Sequence, residues 1–264
     1  MTSSSMPLSQ DILHLQGEDT IPLLQSLLTC NLNNITVGDL KFGALLTPQG
    51  KIIDTLFIFM TAKGVFIDVA RGRGAGLLQR LKLYRLRAKI EMEDVTATYS
   101  VGRGDAPADS LLVHLDPRHK DLGPRWLAPQ PSSDPDQEDI LRQKEIDLGI
   151  PRFGEDYQET SVFPLDVNLD ALNGIDHKKG CFVGQEVASR MFRKGEIRKR
   201  SWKVQGEALT VGTALLANGK TIGTLTSVLG HQAIALLRLD RFEVEDNVTT
   251  EEGRPVTLQK PDYL

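Results

Sequence analysis

The sequence predicts an α+β fold, in which helices pack on antiparallel sheets, followed by a small C-terminal β-barrel. Two observations carry this prediction. A leucine-rich helical pattern precedes strand-like segments separated by tight turns, and the final part of the chain alternates short strand-like segments with glycine-containing turns. The 264 residues are 40% hydrophobic and 25% charged, which is typical of a globular protein with a sizeable core.

The N-terminal elements follow from local patterns. Residues 17–32 predict a helix whose first amides are capped by Asp19 or Thr20, with Pro22 in the first turn. Three strand-like segments then follow, the first two joined by the turn Pro48-Gln49-Gly50, and they predict an antiparallel meander. A second helix is predicted over 74–89, with Tyr84 and leucines on its buried side, before the chain becomes extended again.

The chain is predicted to divide into residues 1–198, a domain of helices and antiparallel sheets, and residues 199–264, the barrel. Residues 116–139 carry five of the thirteen prolines and little periodicity, so they are predicted to be a surface connection.

Composition excludes several classes of function. No run of about 18 apolar residues occurs, so no membrane span and no membrane partner are expected. The formal charge of −4 gives no global indication of nucleic-acid binding. The first residues lack the features of a secretory or transit peptide, which predicts a cytoplasmic protein, and its two cysteines are expected to be free thiols.

The stretch KKGCFVGQEVASR places one cysteine beside charge and glycine. Cys181 becomes a useful nucleophile or ligand if its thiolate is stabilised, by Lys178 and Lys179 or by the amides of a helix beginning near Gly184. Gly180 and Gly184 would let a ligand approach the backbone closely. The alternative is that Cys181 is an inert packing residue.

The segment KGCFVGQEVASR resembles the K-G-C-[FY]-x-G-Q-E-x-x-[SA]-R signature of the YgfZ family, which includes Iba-type factors and is related to the aminomethyltransferase (T-protein) of glycine cleavage. The resemblance extends over the rest of the chain except its proline-rich middle. It implies a folate-binding fold with a C-terminal barrel. It also implies a function in iron–sulfur cluster assembly or repair, with an indirect effect on tRNA modification.

The resemblance also implies site residues, a cofactor and partners. Cys181 and Lys179 are the expected catalytic residues, and the cofactor is expected to be tetrahydrofolate or a derivative. Iron–sulfur proteins or cluster-assembly proteins are the expected partners, and direct nucleic-acid binding is not expected. The other site residues are expected to bind the cofactor: Gly180, Gly184, Gln185, Glu186, Arg190 and Asp54. For Glu186 and Arg190, at helical i, i+4 spacing, a structural ion pair is an equal alternative.

No metal site is predicted within this chain. A cluster ordinarily takes four cysteine thiolates, or two with two histidines, and this chain has only Cys30 and Cys181, which lie 151 positions apart. Cys181 is therefore expected to supply one ligand in a complex, or to react as a thiolate with a partner.

Two alternatives to an assembly factor follow from other segments. T-proteins resemble GKIIDTLFIF but carry paired aspartates there, whereas this chain has Asp54-Thr55; Asp54 either handles a proton or points outward on a strand. RNA binding is the other alternative, because a basic run follows the motif, although a solvated surface is the commonest explanation for such a run. The run consists of Arg190, Arg193, Lys194, Arg198, Lys199 and Arg200.

The segment RGRGAG, residues 71–76, follows a strand-like segment and precedes a helix, as phosphate-binding glycine loops do. Its spacing does not match G-x-G-x-x-G, because Leu77 stands where the third glycine is required. The segment is therefore predicted to be a turn into a helix, with arginines available to an anionic ligand.

Overall fold

A computed structural model describes residues 6–129, 138–195, 197–243 and 247–264. Its α-helices within these ranges are α1 (Thr20–Leu27), α2 (Gly74–Arg85), α3 (Glu138–Leu148) and α4 (Gln185–Lys194). The strands before α3 are β1 (Met6–Pro7), β2 (Gln10–Gln16), β3 (Leu40–Leu46), β4 (Ile52–Thr61), β5 (Gly64–Ala70), β6 (Glu91–Asp94), β7 (Tyr99–Arg103), β8 (Leu112–Leu115) and β9 (Pro124–Pro129). The strands after α4 are β10 (Lys199–Gly206), β11 (Ala214–Ala217), β12 (Lys220–Leu229), β13 (Gln232–Arg238), β14 (Val248–Thr250) and β15 (Pro255–Gln259).

A five-stranded sheet, in the order β3-β4-β5-β2-β6, is the centre of the N-terminal part. Its meander β3-β4-β5 is antiparallel, as the turn chemistry predicts. One face packs on α1 and α2 through Leu24 and Leu77, and the other carries Phe59 and Phe66 toward the second sheet. Because both faces are covered, β4 is an almost continuously buried apolar strand.

The second sheet has the order β1-β7-β9-β8 and corrects one prediction. Residues 116–139 are not simply a surface connection, because β9 lies between two other strands and buries Arg125 and Trp126. In the sequence, the prolines of this segment argue against a strand. Pro124 and Pro129 stand at the two ends of β9, however, where a missing amide costs little. The remainder of the predicted connection, 130–137, lies outside the described residues.

Two local predictions are also wrong. Neither Asp19 nor Thr20 caps α1. Oδ2 of Asp19 instead accepts from the amide of Lys89, 2.8 Å away, and the buried hydroxyl of Thr20 has no hydrogen-bond partner among the described residues. Helix α2 is shorter than predicted and Tyr84 is exposed on it, since the backbone of Leu86 takes a positive φ of 46° that ends the helix.

The C-terminal strands form a closed barrel in the order β10-β13-β12-β11-β14-β15, in which β10 also pairs with β15. Trp202, Leu215 and Leu237 belong to its core. The α+β fold with a terminal barrel is therefore confirmed, while the division at residues 198 and 199 stays a prediction. In the part of the chain that the structure describes, no helix is long and apolar enough to span a membrane.

Polar contacts fix the barrel against the preceding elements. Asp156 accepts through Oδ1 from the hydroxyls of Thr226 and Ser227, each at 2.6 Å, and through Oδ2 from Arg142 of α3 at 2.6 Å. Asp156 and Arg142 are both buried. Because the two barrel hydroxyls donate to a buried carboxylate that Arg142 also holds, the contact orients the barrel more narrowly than apolar packing alone.

Candidate functional site

The two thiols lie in opposite environments. Cys181 is exposed on the loop that precedes α4, whereas Cys30 is buried. Burial raises the pKa of Cys30 to about 11, although Lys179 opposes this rise. At neutral pH, Cys30 is therefore a neutral packing thiol, and Cys181 is the cysteine that reagents or partner proteins can reach.

The Cys181 loop begins at an anchored turn. Oδ1 of Asp176 accepts from the amides of Lys178 at 2.7 Å and Lys179 at 3.2 Å, and Oδ2 accepts from Asn31 at 3.0 Å. Burial alone would raise the pKa of Asp176, but these hydrogen bonds outweigh it and lower the pKa. Asp176 thus holds the turn as a carboxylate.

Lys179 has a place that sequence reasoning did not foresee. Its side chain is buried, and Nζ donates to the carbonyls of Gln25, Leu28 and Cys30 at 2.8, 2.7 and 2.6 Å. These carbonyls lie at and just beyond the end of α1, where backbone acceptors lack helical donors. Burial lowers the pKa of Lys179 to about 8.

This geometry differs from the predicted one. All three ammonium hydrogens of Lys179 are directed at carbonyl oxygens, so the lysine fastens the Cys181 loop to α1 rather than turning toward the thiol. Lys178 is exposed beside it. A catalytic role for Lys179 stays a prediction, and the contacts support a structural role.

We expect Lys179→Met to lower the free energy of unfolding by about 2 kcal/mol or more, because it leaves three carbonyls without their charged donor. Chemical denaturation measures this change. Lys178→Met is the matched control, since it removes the neighbouring exposed ammonium, and it should change stability by no more than about 0.5 kcal/mol. Equal effects of the two substitutions would contradict the structural role of Lys179.

Helix α4 begins directly against the turn between β3 and β4. Gly184 precedes the helix with a φ of 80°, and a Cβ built there would lie 2.6 Å from the carbonyl oxygen of Thr47. Gly50 of the turn has the same φ and packs against Val187. Glycine is therefore required at Gly184 for both its backbone conformation and the close approach. The motif thus meets the meander at this point.

Two substitutions, Gly184→Ala and Gly72→Ala, distinguish the requirement for a positive φ from the requirement for close approach. Gly72 has a φ of 81°, but a Cβ there would meet nothing within 4 Å. Both variants carry the conformational strain, and only Gly184→Ala adds a steric clash. We expect Gly184→Ala to be destabilised by about 1–3 kcal/mol more than Gly72→Ala in thermal or chemical unfolding. Indistinguishable stabilities would show that the turn and α4 do not pack closely.

The other predicted ligand residues of the motif are open to solvent or only loosely held. Gly180 is exposed, and a Cβ there would meet no atom within 4 Å. Gln185 Nε2 lies 3.5 Å from the carbonyl of Lys179, which is a weak contact. Glu186 and Arg190 are both exposed, and no ion pair joins them. Their roles in ligand binding stay predictions.

A groove of about 990 Å³ runs beside the Cys181 loop. His177 lies in its wall under the ring of Phe192, with ring centroids 3.8 Å apart, and neither ring nitrogen has a partner. Burial lowers the pKa of His177, which favours the neutral ring. Cationic side chains at the groove are Lys41, Lys178 and Arg193.

The basic run is partly neutralised. Arg200 is buried and donates to both carboxylate oxygens of Asp170 and to the carbonyl of Leu165, so it is not available to a polyanion. Arg198 is exposed and Lys199 is half-buried. The side chain of Lys194 lies outside the described part of the structure. The predicted RNA-binding patch is therefore smaller than its sequence indicates.

Asp54 is buried, which corrects the expectation that it points outward on its strand. Arg73 Nε donates to Oδ1 at 2.7 Å, and Arg73 also pairs with Glu159 at 2.9 Å. Burial raises the pKa of Asp54, although Arg73 opposes this. The segment RGRGAG is a turn into α2, as predicted, but Arg73 serves Asp54 and Glu159 instead of an anionic ligand.

A second candidate site lies between the two sheets and the segment after α3. This cavity of about 260 Å³ is lined by aromatic and arginine side chains, among them Phe42, Phe57, Tyr157, Arg103, Arg118 and Arg125. The three arginines are buried and share the carboxylates of Asp68, Asp116 and Glu145. Nε and Nη1 of Arg103 have no hydrogen-bond partner.

Sequence reasoning missed this cavity. Its arginines come from segments that read as strands or as a connection. Asp116 lies near them in sequence, but their other two partners, Glu145 and Asp68, lie 27 to 57 positions away. The available signal was the presence of Arg103 and Arg125 in otherwise apolar strand segments, because a charged residue within a buried strand requires a partner.

The fold defines the class of protein. Over its full length the chain superimposes with a TM-score of 0.77 on the glycine cleavage system aminomethyltransferase T of Bartonella henselae, covering 86% of that chain at 13% sequence identity. At this identity the likeness shows the fold alone. Residues 198–264 match the model of the C-terminal β-barrel domain of CAF17. The chain has a GcvT-like fold with a CAF17-type barrel.

Sequence comparison gives the family. The chain is 28% identical over 247 residues to the IBA57 homologue of Dictyostelium discoideum, 30% over 213 residues to that of Pyricularia oryzae, and 25% over 288 residues to human IBA57. These matches cover 74%, 73% and 94% of this chain. All three relatives are named iron-sulfur cluster assembly factors. The chain thus matches the YgfZ/Iba-type family that its motif indicates.

The chain spans 60% of the Dictyostelium relative, 54% of the Pyricularia relative and 80% of the human one. The relatives also correct one prediction. They are named mitochondrial, so the cytoplasmic assignment is wrong, and the similarity points to mitochondria instead. The prediction depended on the first residues of the sequence, which by themselves carry little information about compartment.

Proposed function

We propose that this chain serves the assembly or repair of iron–sulfur clusters, with Cys181 as its functional thiol. One observation carries the proposal: Cys181 is exposed on a loop that Asp176, Lys179 and Gly184 fasten to the fold, while Cys30 is sealed in the core. The similarity to proteins named as assembly factors supports it. An effect on tRNA modification would follow indirectly, through enzymes that need a cluster.

Cys181 acts with a partner in this proposal. Iron–sulfur clusters are ordinarily held by several cysteine thiolates, and this chain exposes one. Among the described residues, no three His, Cys, Asp or Glu side chains are grouped to hold a metal. Cys181 thus supplies one ligand, or one nucleophile, to a cluster that a second protein carries. The neighbouring groove offers that protein the cations Lys41, Lys178 and Arg193, while its two carboxylates, Asp170 and Asp176, already accept hydrogen bonds within the chain.

The cavity between the sheets is the proposed folate site. Aromatic side chains and unpaired donors suit a pterin, which is planar and rich in acceptors, and Arg103 Nε and Nη1 are buried donors without a partner. Phe57 contributes an aromatic face, with the Arg125 guanidinium 3.8 Å from its centroid. A bound tetrahydrofolate would supply reduced pterin nitrogens, and the residues named here would bind and orient it.

A binding titration tests the folate site separately from the thiol. We expect tetrahydrofolate to bind the wild type and Cys181→Ser with equal affinity, because the thiol does not line the cavity. Arg103→Lys keeps the charge but removes the guanidinium donors, and it should weaken binding about tenfold. Isothermal titration calorimetry measures all three proteins. No binding by the wild type would remove the folate site and leave the proposal for Cys181 standing.

The alternatives have less support. Aminomethyl transfer would need Asp54 to exchange a proton, but its carboxylate is buried and held by Arg73. RNA binding would use the basic run, in which Arg200 is occupied by Asp170.

A further inference from the structure

The end of α2 presents an unusual stretch of surface. All six residues from 82 to 87, with the sequence KLYRLR, are exposed. Leu83 is 72% exposed, Tyr84 38% and Leu86 86%. Isolated exposed apolar residues are normal on a protein surface. Here three lie within four positions, and Leu83 and Leu86 are the most exposed large hydrophobic residues in the described ranges.

The other three residues of this stretch are cations. Lys82 and Arg87 form no ion pair with any residue that the structure describes, and Arg85 donates to the carbonyl of Ile90 at 3.2 Å. The nearby carboxylates have partners of their own, since Glu18 pairs with Lys89 at 2.7 Å and Glu91 accepts from Gln16. The stretch therefore combines projecting apolar side chains with a local positive charge, in a chain whose formal charge is −4.

Leu86 also has a backbone conformation that favours glycine, with φ 46° and ψ −107°. Glycine at this position would relieve the strain and remove an exposed leucine at the same time. In the isolated protein, leucine at this position is therefore unfavourable both for its strained backbone and for its exposed apolar side chain. Such a residue suggests a contact outside the chain.

We propose that the end of α2 binds the surface of an anionic lipid bilayer. Leucines that project from the fold can enter the boundary between headgroups and acyl chains without a matching cavity, while the cations lie at the level of lipid phosphates. A stable protein partner would instead need about 800 Å² of complementary surface. An open hollow of about 700 Å³ adjoins the stretch. Its lining includes the cations Arg85, Arg87 and Lys89, which suit phosphate headgroups, and one carboxylate, Glu91, which accepts from Gln16.

This contact differs from a membrane span. The absence of a long apolar run excludes a spanning helix, and the expectation of no membrane partner depended on that absence alone. Contact at the surface requires only a few apolar side chains and local positive charge.

Vesicle co-sedimentation of the full chain tests the proposal. One set of vesicles is phosphatidylcholine alone, and in the other set part of it is replaced by anionic phosphatidylglycerol. We expect binding to the anionic vesicles that weakens as salt is raised. Leu83→Ser combined with Leu86→Ser should weaken binding about tenfold or more, and Lys82→Glu combined with Arg87→Glu should abolish it.

Val113→Ser combined with Leu115→Ser is the matched control, because these residues are 49% and 58% exposed elsewhere on the surface. This control should bind vesicles as the wild type does. The proposal is overturned if the wild type does not bind anionic vesicles, which is also the result expected if the stretch serves an acidic protein. Equal binding by the wild type and the double leucine variant would overturn it as well. Circular dichroism of each variant verifies the fold.

Discussion

Cys181→Ser is expected to abolish the function of this chain in cluster assembly while leaving its fold intact. The substitution replaces an exposed sulfur by oxygen, so no packing contact is lost and the melting temperature should match that of the wild type within about 1 °C. A serine hydroxyl is neither a thiolate nucleophile nor a good iron–sulfur ligand at neutral pH. The measurement is the activity of an iron–sulfur enzyme in cells that depend on the variant.

Cys30→Ala is the matched control for this experiment. Cys30 is buried and its sulfur packs tightly against the backbone of Gly43, where an added Cβ would lie only 2.7 Å from the sulfur. Removing the sulfur leaves a small cavity, so the control should lose some stability but keep full function. The opposite pattern, with function lost in Cys30→Ala and kept in Cys181→Ser, would contradict the assignment.

Arg103→Leu is expected to lower the free energy of unfolding by about 3 kcal/mol. Nη2 of Arg103 lies 3.1 Å from Asp116 and 2.8 Å from Glu145, and all three side chains are buried. Removing the cation leaves two carboxylates in a low-dielectric interior with one counter-charge fewer. Arg118 still contacts both of them, and Arg152 contacts Glu145. Urea denaturation monitored by tryptophan fluorescence measures the change, since Trp126 donates to the Arg103 carbonyl.

A surface arginine provides the comparison. Arg254 is 45% exposed and lies 3.6 Å from Glu252, so Arg254→Leu should change stability by less than about 1 kcal/mol. If Arg103→Leu is as mild as this control, the buried network does not hold the two sheets and α3 together. If Arg103→Leu does not fold, Arg103→Lys still reports on the network, because it keeps the charge within the cavity.

Local patterns were sufficient for many elements. Gly50 in the turn after Pro48 and Gly184 in the motif have backbone conformations that few other residues adopt, so the meander and the start of α4 could be predicted. Period-two segments divided by glycine turns indicated the barrel in the same way. These predictions depend on interactions between residues that are close in sequence, and such interactions can be read from one amino-acid sequence.

The roles of charged side chains could not be predicted in this way. Lys179 has its acceptors about 150 positions earlier in the chain, at the end of α1, and the flanking residues give no sign of this. The sequence pattern of β4 is compatible with Asp54 on the solvent-facing side of the strand. In the structure Asp54 is buried, and Arg73, just before α2, supplies the charge that its carboxylate needs there. β9 was likewise missed because its segment is rich in proline. A proline disrupts a strand only where its missing amide is needed for pairing, and the prolines of β9 stand at its two ends.

Site-resolved alkylation tests the central claim most directly. The folded chain is treated with iodoacetamide, modification of each cysteine is followed by mass spectrometry, and the activity of the same samples in cluster assembly is measured in parallel. We predict that Cys181 reacts while Cys30 stays unmodified until the protein unfolds, and that activity falls in proportion to the modified fraction of Cys181. Full activity after complete modification of Cys181 would contradict the account.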